Sequence, residues 1–349
     1  MDFSVVIPSY NRGAYLQQTL DSIRAQTLKP REIIVIDDGS TDNTADLFAN
    51  AHAHGDVQYR RIENSGPGVA RCIGMQAATA DWIAFCDSDD LWEPRHLAVL
   101  AEVAEAFPEA RFLFSNFCNF RDDRPDERYY DHFASAPPGW WAAQTAARHG
   151  DAVLLVEPAL PGFLAFMPAW PTASAGHRSV ATRVGSTQAA VSRLPSEDCE
   201  LTGRFVILGR AACSLQQTAR LRKHADNYSG DQVANIIGRA NVLMLGLQGH
   251  AELYAGFEAA VIEEARQDVL RAFQRALWQQ RPLDAGRLHD LLAPFGLRAP
   301  KLKQRLAGRV LAVWSRLQSR PTTPKLEAMI ELALRNRAAL VAATKHGVG

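Results

Sequence analysis

No excess of charge of either sign marks this sequence: 38 Lys and Arg face 38 Asp and Glu. A chain-wide electrostatic footprint for nucleic acid is therefore excluded. Cysteine is sparse as well. Cys72, Cys86, Cys118, Cys199 and Cys213 are odd in number and scattered, without the close pairs of a zinc site, and they read as free thiols in a reducing compartment. The opening stretch, Met1 to Pro8, lacks a basic n-region and carries too short an apolar run for a secretory signal. Export is not expected, and a cytoplasmic location is. Long uninterrupted apolar runs are missing too. The most apolar stretch, Ala152 to Pro171, holds Glu157 together with Pro158, Pro161, Pro168 and Pro171, which would break a membrane-spanning helix, and it reads as a non-helical apolar loop. There is no internal repeat of fixed period.

What is present is enough apolar material, 47% of 349 residues, to bury one large core or two ordinary ones. Residues 3–7 and 32–36 are short β-branched runs that predict buried strands. Between them Leu16, Leu20 and Ile23 fall at helical spacing, giving the strand, helix, strand unit that builds parallel sheets. The alternation continues with a helix over 41–54, a strand over 57–62, a helix over 69–78 and a strand over 82–86. Pro94 opens a helix carrying Leu97, Leu100, Val103 and Phe107, and residues 111–115 supply one more strand. It then stops, at a charge-rich run over 121–131 and at Trp140-Trp141, a pair suited either to stacking on a sugar or to fastening a loop. From about residue 231 the chain is rich in Ala, Leu, Arg and Gln, which predicts an all-helical end. The expected divisions are 1–120, 121–228 and 229–349.

Ligands of an open parallel sheet sit outside the carboxyl ends of its strands, and there the sequence concentrates its polar residues. The first strand is followed by Ser9-Tyr10-Asn11-Arg12, the second by Asp37-Asp38 and the fourth by Asp87-Ser88-Asp89-Asp90. Crowded carboxylates raise one another's pKa unless a cation neutralises them. Asp87 and Asp89 suit magnesium or manganese, whereas zinc would want histidine or cysteine nearby. Such an ion retains waters and takes substrate phosphate oxygens, as a nucleoside diphosphate leaving group requires. The same acids also read as a turn that caps the helix beginning near Pro94.

Four ordered stretches carry a family resemblance: Val6 to Arg12, Val35 to Thr44, Asn64 to Arg71 and Phe85 to Asp90. In order and spacing they resemble the family 2 glycosyltransferases, over residues 1 to about 115. The resemblance implies an α/β GT-A fold, a doubly wound and mostly parallel sheet flanked by helices, here with a helical C-terminal extension. It implies inverting transfer from a nucleotide sugar. Pro8, Tyr10, Asn11 and Arg12 then lie on the loop flanking the nucleotide, and Asp38 matches the contact to the nucleobase. Asp89 matches the direct metal ligand, with Asp87 as ribose, donor or second metal contact. Arg71 faces the donor or pairs with a strand-end carboxylate. The family places its base in a late Glu-Asp pair, and Glu197-Asp198 is the acidic cluster in that place, so Asp198 is the base candidate. Cys199 and Gly203 depart from the family pattern, the segment Phe205 to Leu208 looks extended, and Ser196 also reads as a helix cap.

Between Leu291 and Lys325 there is no Asp or Glu, while Arg298, Lys301, Lys303, Arg305, Arg309, Arg316, Arg320 and Lys325 are basic. Leu302, Leu306, Val310, Val313 and Leu317 follow helical spacing, so a basic amphipathic helix is expected. It suits either an anionic membrane surface, through 298–325, or packing on the rest of the chain. The partners expected are a nucleotide-sugar donor and a glycan or lipid-linked acceptor. Competing readings are a non-catalytic sugar-nucleotide-binding protein of the same fold and a nucleotidyltransferase, the latter weakened because Pro8 to Gly13 is not a glycine-rich phosphate loop. A dinucleotide oxidoreductase is disfavoured because Gly66-Pro67-Gly68 lacks the third glycine of that fingerprint. His52, His54, His177 and His224 show no metal-ligand spacing.

Overall fold

Val5, Ile7, Ile33 and Val35 do form the paired strands that their branching predicts. The computed structural model describes residues 1–48, 56–224, 231–279, 281, 284, 288 and 326–333. Its strands are β1 (Phe3–Ser9), β2 (Glu32–Asp37), β3 (Val57–Arg61), β4 (Trp82–Phe85), β5 (Leu91–Trp92), β6 (Phe112–Arg121), β7 (Arg124–Asp131), β8 (Thr145–His149), β9 (Ala152–Leu155), β10 (Ser174–His177) and β11 (Ala211–Arg222). The helices are α1 (Gly13–Arg24), α2 (Pro67–Ala77), α3 (His96–Ala106), α4 (Trp140–Gln144), α5 (Leu160–Ala165), α6 (Arg178–Val184), α7 (Ala189–Ser192), α8 (Asp198–Leu208), α9 (Gln232–Gly249) and α10 (Glu258–Trp278).

The strands lie in the order β3-β2-β1-β4-β10-β6-β11-β9-β8, with β5 beside β11 and β7 beside β6. Strands β3, β2, β1 and β4 are mutually parallel, β10 runs against both β4 and β6, and β11 is again parallel to β6. The sheet is thus mostly parallel in strand direction. On one face Val5, Ile7, Ile33 and Val35 are buried with Leu16, Leu20 and Ile23 of α1 and with Leu97, Leu100 and Val103 of α3. Burying each such side chain is worth about 1.5–3 kcal/mol. On the other face α2 approaches β1 so closely that a Cβ added at Gly74 would lie 2.2 Å from Val6 Cγ1. Helices therefore cover both faces, the doubly wound arrangement expected.

Two compact units result, one from Met1–Arg193 with Leu201–Ala225, the other from Leu194–Glu200 with the described residues that follow Ala225. In the second, the Asp231 carboxylate caps α9 by accepting from the backbone N–H of Val233 and Ala234 at 3.0 and 3.2 Å. Val233, Ile237, Val261 and Val269 are buried along α9 and α10, as the helical composition predicts. Among the described residues no helix is long and apolar enough to cross a membrane. All five cysteines are buried and free.

Several local expectations are corrected. Residues 205–208, expected to be extended, complete α8, which runs through Gly203 without a break. Packing overrides strand propensity there: Phe205 stacks on Phe112 with centroids 5.3 Å apart. Gly176 makes room for it, since a Cβ there would lie 2.2 Å from Phe205 Cε1. The apolar stretch from Ala152 is not one loop, because it pairs β9 with β11 and then forms α5. Before residue 49, the helix expected over 41–54 is replaced by a turn and a short 3-10 helix, Ala45–Phe48, because Asp42 engages the backbone N–H and hydroxyl of Thr44. Residues 49–55, with His52 and His54, lie outside the described residues. Pro94 precedes α3 instead of occupying its first turn. The basic segment from Leu291 to Lys325 lies outside the described residues as well.

Candidate donor and metal site

Three strand ends of the first unit are stitched into one polar edge by their own side chains. Asn11, at a φ of 52°, takes the left-handed conformation that asparagine tolerates better than most residues. Its Oδ1 accepts from the N–H of Thr41 at 2.7 Å and of Asp42 at 3.3 Å, while its own N–H donates to Ser40 Oγ at 2.9 Å. The loops after β1 and β2 are locked together in this way. Asp37, fully buried, accepts from Ser40 N at 2.8 Å and from the Tyr59 hydroxyl at 2.5 Å, and burial together with that carboxylate pushes the Tyr59 phenol up. Pro8 is buried within β1 and Tyr10 stands exposed.

Asp38 is also buried, and its carboxylate accepts from the backbone N–H of Ser65 at 2.6 Å and Gly66 at 2.8 Å. Burial pushes Asp38 up, and these two bonds with nearby Arg193 oppose that rise. Gly66 has a φ of 90°, and an added Cβ would lie 2.6 Å from Ser192 O, so both its conformation and its close approach require glycine here.

After β4 the acids divide by exposure. Asp87 accepts from Arg71 Nη2 at 2.7 Å; the side chain of Arg71, on α2, is 5% exposed and that of Asp87 is 36% exposed. Asp89 meets Arg12 Nε at 3.1 Å and His224 Nε2 at 3.2 Å, and its backbone carbonyl accepts from Arg222 Nε at 2.7 Å. Asp90 is turned inward: Thr172 Oγ1 donates to it at 2.6 Å and Arg222 N at 2.9 Å. It therefore does not cap α3, whose N-cap is Arg95 without a side-chain bond. Burial, then the charges of Asp89 and Asp87, push Asp90 up, and the buried Cys86 thiol is raised by its burial and the same three acids.

Asp87 and Asp89, partly open to solvent and each paired with an arginine, are the two carboxylates here that could hold a hard divalent cation. Among the described residues no three His, Cys, Asp or Glu side chains are already gathered as a cage. Among the described residues an ion would therefore find at most a partial coordination shell.

The structure thus brings together Arg12, Arg71, Asp87 and Asp89, and builds their support from Asn11 and Asp38. Asp198 belongs to the other unit, at the first position of α8. There Cys199 N donates to Ser196 O at 3.1 Å and Glu200 N to Glu197 O at 3.2 Å, a tight turn in which Ser196 has a φ of 64°. Sequence reasoning missed Thr172 and Arg222, and it set His224 aside for want of metal-ligand spacing. Arg222 is the pivot of the three: buried, its guanidinium lies 4.7 Å over Tyr15 and 4.6 Å over Phe120 and bonds Gln18 and Asp122. The signal available was the strand end before His224, but Ala211–Arg222 has almost no β-branched residue to announce a strand. Trp140 and Trp141 donate to the carbonyls of Gly162 and Phe133, each at 3.1 Å, and so fasten a loop.

Comparison with known proteins agrees with this geometry. Residues 4–167 match the family model Glycosyl transferase family 2. An uncharacterized glycosyltransferase of Nostoc sp. is 39% identical over 105 residues, covering 30% of this chain and 33% of that protein. The chain accordingly spans a third or less of the length of the first curated relatives it matches. Among solved structures, S. aureus TarS in complex with UDP-GlcNAc superposes with a TM-score of 0.55 at 17% identity, over 99% of this chain and 92% of that one. The mannosyltransferase PcManGT from Pyrobaculum calidifontis, in complex with GDP-Man and Mn2+, gives 0.51 at 18% identity over 96% and 86%. At such identities the structures show the shared fold alone. The match over residues 4–167 makes that part of the chain similar to family 2 glycosyltransferases.

Proposed function

We propose that the chain is an inverting, metal-dependent glycosyltransferase that moves a sugar from a nucleoside diphosphate donor to an acceptor hydroxyl. The observation that carries this reading is the pairing of two partly open carboxylates, Asp87 and Asp89, with Arg71 and Arg12 at converging strand ends. It is supported by solved neighbours that hold UDP-GlcNAc, or GDP-Man with Mn2+.

In this reading Asp89 and Asp87 would hold magnesium or manganese through their carboxylate oxygens. The bound ion would supply charge neutralisation at the departing diphosphate. Arg12 and Arg71 add fixed positive charge on the same side, and Pro8, Tyr10, Asn11 and Asp38 shape the nucleotide end. Asp198 takes the proton of the acceptor hydroxyl as that oxygen bonds to the anomeric carbon. The bond from that carbon to the diphosphate oxygen breaks with its electron pair leaving on the diphosphate. The acceptor is a glycan or a lipid-linked hydroxyl, and the basic segment over 298–325 draws the enzyme to an anionic membrane surface.

The test of the base is Asp198→Asn. Donor affinity by calorimetry should match wild type while turnover falls by about two to four orders of magnitude, the worth of a positioned general base. Turnover that survives, or affinity that falls in step with it, would leave Asp198 without a catalytic role.

A further inference from the structure

The turn that bears Asp198 shares its unit with α9, and two glycines of that helix let it lie directly on the helix surface. A Cβ added at Gly238 would stand 2.9 Å from both Pro195 Cβ and Pro195 O, and one added at Gly246 would stand 2.6 Å from Glu200 Cγ. Neither glycine is called for by local conformation, since both stand inside α9. Glycine there is less favourable than alanine by about 1 kcal/mol. Close approach is the remaining reason for them. Eight positions apart, they are separated by about 12 Å along the helix and bracket the segment from Pro195 to Glu200.

Other groups of the same unit hold the bracket in place. Glu200, only 2% exposed at its side chain, lies 3.6 Å from His250 Nε2, just past the end of α9. Next to Gly238, Arg239 bonds Glu264 at 3.3 Å and Asp268 at 3.2 Å, both on α10, and Arg271 bonds Asp268 at 2.6 Å. Cys199, the residue after Asp198, is buried. The turn is therefore gripped at Pro195 and Glu200, on both sides of Asp198.

We infer that α9 is the seat that fixes where Asp198 stands, with Gly238, Gly246 and His250 acting as positioning residues for the transfer step. This rests on the reading of Asp198 as the base. It gives the C-terminal helices a part in catalysis that a mere appendage would not have, because misplacing a reacting group by about 1 Å can slow a reaction on the order of a hundredfold.

The experiment compares, in the full chain, Gly246→Ala, Glu200→Ala, the double variant and Asp198→Asn, measuring kcat, donor KM, donor affinity by calorimetry and Tm. Gly246→Ala should lower kcat about tenfold, within the range a shift of under 1 Å produces, with donor affinity and donor KM unchanged. In the double variant the Glu200 Cγ that the added methyl would strike is gone, so its kcat should equal that of Glu200→Ala alone. Wild-type kcat in Gly246→Ala while Asp198→Asn is inactive would overturn the seat. Wild-type kcat in Asp198→Asn would instead overturn the base reading by itself. Donor affinity falling together with kcat in Gly246→Ala would make the glycine a general packing residue and would also overturn the inference. Should Gly246→Ala fail to fold, His250→Ala and His250→Gln decide: kcat should drop in the first and recover in the second, and equal kcat in both and wild type would contradict the seat.

Discussion

Arg12 Nε stands 3.1 Å from Asp89 Oδ2, a bond that joins the loop after β1 to the loop after β4 across 77 residues of chain. It is one of two such pairs, the other linking Arg71 on α2 to Asp87. Both pairs are partly buried, and they sit at a strand edge where a charged ligand would meet them. Their value is in presenting fixed charges of both signs at one place. Asp37, Asp38 and Asp90 differ from Asp87 and Asp89 in being buried and bonded to neighbouring backbone groups.

Asp38 tests that division. Its carboxylate receives two backbone N–H groups, so Asp38→Asn would leave one of them facing an amide NH2. Stability should drop by about 1–3 kcal/mol, the penalty for a buried polar group left unsatisfied, and donor affinity should fall with it because the Ser65-Gly66 turn loosens. Urea unfolding and calorimetry check the two effects. Wild-type stability with weakened donor affinity would show that Asp38 serves the ligand and not the turn.

Glu32 gives the first unit an acid-sensitive tie. It accepts from Ser4 Oγ at 2.5 Å, Thr79 N at 2.7 Å, Thr79 Oγ1 at 2.8 Å and Gln58 Nε2 at 2.8 Å. Burial alone would raise its carboxyl, and the bonds from Ser4, Thr79 and Gln58 outweigh that, leaving it below its ordinary value. Its stabilisation is thus complete above the unfolded pKa near ~4.3 and is lost as pH falls through the lower folded value. Glu32→Gln should cost about 1 kcal/mol at pH 7, after allowing for its partial exposure, and should converge on wild type at lower pH. Parallel stability curves from neutral to acid pH would refute this.

Much of this was legible in the sequence where local pattern and packing agree. Val5, Ile7, Leu16 and Leu20 announced both their elements and their burial, and the four family-like stretches located Arg12, Asp87 and Asp89. The rest depended on long-range contacts. Arg222 and His224 reach the acids because β11 pairs with β6, nothing in Ala211 to Arg222 marks it as a strand, and Thr172 comes from a separate turn just before β10. Phe205 to Leu208 look like a strand by composition, yet aromatic stacking on Phe112 settles them as helix. Asp90 read as a cap, whereas its bonds inside the structure go to Thr172 and Arg222.

The acid-free segment from Leu291 to Lys325 predicts vesicle binding by charge. The full chain should sediment with vesicles containing anionic lipid, and less so as salt rises, since screening acts within about 10 Å at ~0.1 M salt. Each Lys or Arg near such a surface is worth roughly 1 kcal/mol. Reversing three of Lys301, Lys303, Arg305 and Arg309 should therefore weaken binding by about a hundredfold or more. Equal sedimentation of the reversed variant, or none by wild type, would remove the membrane from the account.

The most direct measurement of the central claim is a panel of nucleotide sugars tested with and without manganese, reading thermal stabilisation and release of nucleoside diphosphate for wild type and Asp89→Ala. Ligand that binds only the native state raises its apparent stability. At least one donor should stabilise wild type in a manganese-dependent way and be turned over, and Asp89→Ala should keep its fold while losing both responses. Manganese-stimulated release by Asp89→Ala at the wild-type rate, or no response of wild type to any donor, would contradict the account.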